Sequence, residues 1–422
     1  MCDDAKCRAF WKVRLTEWVD QLSAPITRPV RKLIVEVTHG ILASGSLEQS
    51  QIARALQEPH HLHHTQKRLS RMLGRHSEVA WAAEQLQLER LAGQVSDDMV
   101  IGVDPGDLNR DGARCSEYRG RIRDGDRGEI VGGYPLMSVV ARQPDTGRTV
   151  PLLTRLLSSQ RPGHRSENTE LIDVMERVRR QLSAQPLWVI DRGGDRGKLW
   201  AHWLAEDYAV CVRAANRRHW LWRDGRHTAQ QIAKAVPMRH TGRMRQHHTR
   251  RVRFGITTVY LPDYPETPLT MVVVRHGRQE PLVLVSTRRA RGRRQGERLI
   301  QAYLDRWACE EGYRFTKQGF ELEAVQARRF AVLQNLVALA SLAWGLLAAY
   351  SDQAEHLREH ARRQKPQQRP DFPFYTLLAG FQRLFAGARH IFYHWWRRRQ
   401  RSSPTPDLFG NANGLLPPEG AL

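Results

Sequence analysis

Residues 330–350, FAVLQNLVALASLAWGLLAAY, are apolar over a length that would cross a membrane, and this run limits what the chain can fold into. A helix that is apolar on every side needs either lipid or a protein core around it. Gln334, Asn335 and Ser341 interrupt the run and no second span accompanies it, so the sequence predicts a buried core helix and no membrane partner. The N-terminal MCDDAKCRAF lacks the basic-then-apolar pattern of an export signal. A chain of 422 residues that is 41% hydrophobic has material for two or three globular units.

The charge balance points to a polyanion. The formal net charge is +22, carried by 58 Arg and 8 Lys against 44 acids. Codon usage accounts for Arg over Lys but not for the surplus of bases over acids, and a planar guanidinium fork suits phosphate. Nucleic acid is therefore the expected partner. Five scattered cysteines, Cys2, Cys7, Cys115, Cys211 and Cys309, read as free thiols in a reducing, cytoplasmic setting.

Residues 1–95 read as a helical, DNA-binding unit. Within it, Ser46 is a candidate cap for a short amphipathic helix around Ile52 to Leu56, a turn holds Pro59, and a basic helix runs from about Thr65. That outline fits a helix-turn-helix whose second helix enters the major groove, with Lys67, Arg68 and Arg71 as DNA contacts; an ordinary helical hairpin has the same outline. The HHLHH at 60–64 reads as a solvated turn, since no acids or cysteines complete a metal set.

From 96 to 213 the pattern is strand, hairpin, helix, strand, helix, strand, an α/β mixed sheet. DDMVIGVDPGD ends an apolar strand at Asp104, and PLWVID ends another at Asp191. Residues 214–286 read as a mostly β insertion with one short helix near 229–235. The basic link TRRARGRR (287–294) opens a segment, 287–350, that returns to helices. Residues 351–400 read as a basic helical region ending in WWRRRQR (395–401), and 401–422 as a disordered tail.

The stretch YLDRWACEEGYRFTK (303–317) carries the most pointed chemistry. Taken as one helix at about 100° per residue, Tyr303, Arg306, Glu310 and Lys317 share a stripe roughly 60° wide, while Glu311 lies about 100° from Glu310. One acid among three phosphate-capable groups is unusual for a salt-bridged surface, where signs alternate. With the strand-end acids Asp104 and Asp191, Glu310 makes three hard-oxygen donors for divalent metal, and paired metal ions suit phosphodiester chemistry. Trp220 and Trp222 could stack on an unpaired base, with buried packing as the alternative.

The spacing Tyr-x2-Arg-x3-Glu-x6-Lys, met by Tyr303, Arg306, Glu310 and Lys317, resembles the signature of DDE transposases of the IS-four group of bacterial insertion sequences, and the order of Asp104, Asp191, β insertion and glutamate helix is similar to theirs. The resemblance implies an RNase H-like fold, with Asp104, Asp191 and Glu310 as catalytic ligands of two Mg2+ ions, for which Mn2+ substitutes. It implies DNA contacts from Tyr303, Arg306 and Lys317, and a homodimer acting on paired terminal inverted repeats and target double-stranded DNA. DPGD departs from the family by placing Pro105 and Gly106 after the first acid, which leaves Asp107 as a rival to Asp104. The competing functions are a domesticated DNA-binding protein and a metal-dependent endonuclease without strand transfer.

Overall fold

The computed structural model describes residues 3–23, 25–113, 115–125, 128–245, 249–275, 280–362 and 372–388. Five helices come first: α1 (Asp4–Asp20), α2 (Arg28–Ser44), α3 (Gln49–Leu56), α4 (Leu62–Arg75) and α5 (Glu78–Leu91). Next come β1 (Val100–Asn109), β2 (Gly120–Arg123), β3 (Ile130–Arg142), β4 (Thr149–Leu156), α6 (Glu167–Arg179), β5 (Leu187–Ile190), α7 (Gly197–Ala205) and β6 (Val210–Arg213). Strands β7 (His219–Trp222) and β8 (Gly225–Thr228), α8 (Ala229–Ala235), β9 (His240–Arg245), β10 (Thr249–Leu261), β11 (Tyr264–Arg275) and β12 (Leu282–Ser286) complete the sheet. Helices α9 (Arg293–Asp305), α10 (Trp307–Gly319), α11 (Phe330–Ala349), α12 (Glu355–Arg362) and α13 (Phe374–Phe385) follow.

Strand β1 is the axis of the sheet. It pairs antiparallel with β3, which pairs antiparallel with β4; on its other side β1 pairs parallel with β5, and β5 parallel with β6. The order β4-β3-β1-β5-β6, three antiparallel strands followed by two parallel ones across helices, is the RNase H-like arrangement expected from the sequence. The β-rich stretch is not a detached layer: β12 pairs antiparallel with β6, so β7 to β12 prolong the same sheet. Its one helix, α8, carries a complete capping box between Thr228 and Gln231.

The apolar run forms α11, buried against β4, α5 and α2. Asn335, in the middle of the run, has internal partners. Asn335 Oδ1 accepts from Ala80 N at 2.8 Å, and its Nδ2 donates to Leu73 O at 2.7 Å and His76 O at 2.9 Å. One side chain thus satisfies backbone groups where α4 gives way to α5, which explains a polar residue in the middle of a core helix.

Two expectations need correction. Ser46 does not cap α3: the cap position is Glu48, and the Ser46 hydroxyl instead accepts from Glu48 N at 3.2 Å. Cys7 is disulfide-bonded rather than a free thiol, which an odd cysteine total does not forbid; Cys115, Cys211 and Cys309 are free. Residues 395–401 and the tail 401–422 lie outside the described residues.

Candidate active site

The register of two parallel strands creates the site. Val103 pairs with Ile190, the last pair of the parallel ladder between backbones roughly 4.8 Å apart, so Asp104 and Asp191 come next. Asp191 follows the end of β5 as expected, whereas Asp104 lies within β1, which runs on to Asn109 against β3. Asp104 is only 8% exposed. Asp191 turns the chain into a short 3-10 segment, its Oδ1 accepting from Gly193 N at 2.9 Å. The second acid of VIDRGGDRG, Asp195, is consumed structurally: it accepts from Trp200 Nε1 at 2.8 Å and Ala215 N at 2.7 Å, with Arg218 at 3.1 Å.

Glycines let a helix lie directly on these acids. Residues 102, 104 and 106 share one face of β1, and α10 covers it. A Cβ at Gly102 would stand 2.9 Å from Cys309 Sγ and 3.3 Å from Arg306 Cα; one at Gly106 would stand 2.6 Å from the Tyr313 ring. Gly102 and Gly106 are therefore a packing solution, with bare backbone on both sides of the carboxylate that meets Arg306.

The stretch 303–317 is two helices, not one. The hydrogen-bond ladder breaks at Arg306, which links α9 to α10 with φ −54° and ψ −25°, so Tyr303 lies on the first helix and Glu310 and Lys317 on the second. The stripe survives, since Arg306 stays in the right-handed region. Its guanidinium pairs with Asp104 and, at 2.9 Å, with Glu310, and lies 5.6 Å from the Tyr303 ring centroid. Lys317 reaches further along β1, to Asp107 Oδ2 and Glu323 Oε1, each at 3.3 Å. Asp104 thus faces Arg306 and Glu310, and Asp107 faces Lys317.

Tyr313, on the same stripe, was not singled out from the sequence although it lies three residues past Glu310. Its hydroxyl donates to Asp104 O and, at 3.4 Å, to Leu136 O, fastening α10 to β1 and β3. Burial holds its phenol well above the ordinary range, so it is a neutral donor.

Electrostatically the cluster is one unit. Burial raises the Asp104 pKa to about 7; Arg306 opposes this, while the charges of Asp191 and Glu310 push it further up. Burial alone would lower the Arg306 pKa, but Asp104 foremost, with Tyr303, Cys309 and Glu310, holds it above the usual value. Among the described residues no three acids, histidines or cysteines close on a common metal position; Arg306 bridges Asp104 and Glu310 instead. The donor type nevertheless fits a hard divalent cation: Asp104 and Glu310 already share one positive charge, and Asp191 adds to the negative charge felt by Asp104.

The remaining site residues divide. Lys67 and Arg71 are exposed on one face of α4. Arg68 turns inward and pairs with Glu36 and Glu58, each at 2.8 Å, which leaves it engaged within the fold. Trp220 is fully buried and edge-on to Trp200 at 5.9 Å, so its ring has no free face for a base. Trp222, 7% exposed, donates to Thr257 Oγ1 at 2.8 Å and is covered by Arg223. Packing replaces base stacking at both tryptophans, because each sits on the inward side of its strand.

Residues 149–346 match the family model of the transposase DDE domain. The matched span contains Asp191 and Glu310 and begins beyond Asp104, and it supports a DDE transposase. Among solved structures, the chain is similar to piggyBac transposase, seen by cryo-EM in a synaptic complex with hairpin DNA; identity is 11%, the TM-score 0.48, and the match covers 96% of this chain and 83% of that one. No curated protein matches the chain.

Proposed function

We propose that the protein is the transposase of an insertion sequence of the IS-four group, which binds terminal inverted repeats, cleaves DNA strands at the element ends and joins the exposed 3′-hydroxyls to target DNA. The observation that carries this reading is that Asp104 in β1 and Asp191 just past β5 follow the last pair of the parallel ladder, while Arg306 ties Asp104 to Glu310. The transposase DDE match over 149–346 supports it independently.

Asp104, Asp191 and Glu310 would hold two Mg2+ ions, or Mn2+ in their place, which when bound supply Lewis acidity at a phosphodiester. The chain's own residues do the rest. Tyr303 lies beside the Arg306 guanidinium, where its phenol can take a backbone phosphate oxygen. Arg306, engaged with Asp104 and Glu310 in the metal-free protein, would turn its fork to phosphate once metal replaces it between the acids. Lys317 offers a point charge one step along β1. Tyr313 fixes the helix that carries Glu310, so the acid is held in place before DNA arrives. The exposed Lys67 and Arg71 present a basic face from the second helix of the α3–α4 pair, suited to duplex phosphates. The active species is a homodimer on paired ends, acting in the bacterial cytoplasm at the nucleoid.

The test is cleavage of duplexes carrying the element's terminal repeats in Mg2+ by the full chain and Asp191→Ala. The expected result is nicking by the native chain alone, and equal nicking by both would remove Asp191 from the chemistry. A pre-cut end that is bound but not joined, with nicking intact, would leave an endonuclease. Binding with neither reaction would leave a DNA-binding protein.

A further inference from the structure

A groove of about 1500 Å³ lies behind the carboxylate cluster. Its floor includes Val100 and Leu187, the opening pair of the parallel β1–β5 ladder, whereas Asp104 and Asp191 lie one position past its last pair, roughly 13 Å further along at 3.3 Å per residue. The two sites also use opposite faces of α10. Arg306, Glu310, Tyr313 and Lys317 face the acids, while Trp307, Glu311 and Arg314 line the groove. This gives the second glutamate of the pair a separate location.

The groove is lined by nine arginines and five acids. Some of these bases have acidic partners: Arg314 pairs with Glu311 at 2.8 Å, Arg293 with Glu297 at 3.3 Å and Arg142 with Asp305 at 3.7 Å. Arg243 and Arg245 on the edge strand β9, Arg289 in the basic link, and Arg294 and Arg298 on α9 are exposed and have no carboxylate partner among the described residues. Against Asp98 and Asp145, the two remaining acids of the lining, these five arginines leave a surplus of positive charge that favours an anion between them. Guanidinium forks are suited to phosphate, and side chains spread over a strand, a link and a helix match a repeating backbone better than a single small ion.

We infer that this groove holds the sugar-phosphate backbone of a second duplex DNA segment, on the far side of α10 from the strand being cut. The inference rests on the DNA-processing role proposed above. It gives the basic link at 287–294 a specific role, and it separates the grip on a second duplex from the cleavage chemistry. Recognition is by charge and backbone, so binding at the groove is insensitive to base sequence.

The experiment measures binding of a labelled random-sequence duplex to the full chain by fluorescence anisotropy across a KCl series, in EDTA. It compares the native chain with R289Q/R294Q/R298Q, exposed positions whose change disturbs no described ion pair, and with R180Q/R217Q/R226Q, three exposed arginines outside the groove. The expected result is that the plot of log affinity against log salt loses about 3 units of slope in the groove variant, near 0.9 per phosphate contact, and keeps its slope in the other. An unchanged slope in the groove variant, or an equal loss in both, overturns the inference. Without divalent metal no cleavage occurs, so failure of the catalytic reading and failure of the groove show up in different assays.

Discussion

Arg306 is paired with Asp104 across 202 positions of sequence, and through its other terminal nitrogen with Glu310 at 2.9 Å. The guanidinium is the internal counter-ion of the carboxylate cluster. It neutralises acids that burial would otherwise destabilise, and it stands where a divalent cation would have to bind.

Arg306→Gln should therefore destabilise the metal-free protein and sensitise it to metal. Removing one partner of a buried ion pair costs about 3–5 kcal/mol, and both Arg306 and Asp104 side chains are 11% exposed. Thermal unfolding with and without Mn2+ reads both effects: a lower Tm without metal, and a larger upward shift on adding it than in the native chain. Equal shifts in the two proteins would mean that Arg306 does not compete with the cation.

The two adjacent glutamates should separate cleanly. Glu310→Gln removes a carboxylate from the cluster and is expected to lower strand cleavage by about a thousandfold, corresponding to roughly 4 kcal/mol. Glu311 accepts from Trp307 Nε1 at 3.3 Å and from Arg314 at 2.8 Å on the other face of the helix. Its Gln variant should cleave within a few-fold of the native rate while losing about 1 kcal/mol of stability. Single-turnover nicking assays and urea titrations decide the matter, and a reversed ranking would reject the assignment.

Gly106→Ala should cost about 1–3 kcal/mol, because the new methyl would stand 2.6 Å from the Tyr313 ring and force α10 off β1. Combining it with Tyr313→Ala should cost less than the sum of the single changes, since the clash disappears with the ring. A strictly additive double mutant would show that the close approach of helix and strand is not what requires glycine.

Asp305 supplies a pH dependence. Burial raises its pKa from 3.8 to about 6, with Asp145 adding to the rise and Gln301 and Arg142 opposing it. The native chain then holds a proton that the unfolded chain releases between those values, so its contribution to stability is complete below about pH 4 and lost as pH rises through about 6. Asp305→Asn should be more stable than the native chain at pH 8 by an amount on the order of 2–3 kcal/mol, the two converging near pH 4. Unfolding curves at both pH values test this, and a gap that is independent of pH would exclude the linkage.

Much of the frame was legible in one dimension because it rests on local periodicity. The apolar run at 330–350, the strand that leads to Asp191, and the stripe of Tyr303, Arg306 and Glu310 follow from repeat lengths of 3.6 and 2, whereas β1 runs on past Asp104 to Asn109 because its pairing with β3 continues to Gly133. The tryptophans at 220 and 222 show the limit. Composition marks them as candidates for stacking, but which side of a strand faces the core depends on what packs there, and burial took both.

The sequence by itself determined the element types, the surplus of positive charge and the acids available for chemistry, since these depend on residues within a few turns of one another. Only the tertiary structure decided that β1 and β5 align in the register that sets Asp104 beside Asp191, that bare glycine backbone lets α10 lie on top, and that Arg306 faces inward rather than to solvent. Those outcomes depend on contacts between residues 87 to 207 positions apart, where sterics and charge are settled by packing and no local repeat carries the information.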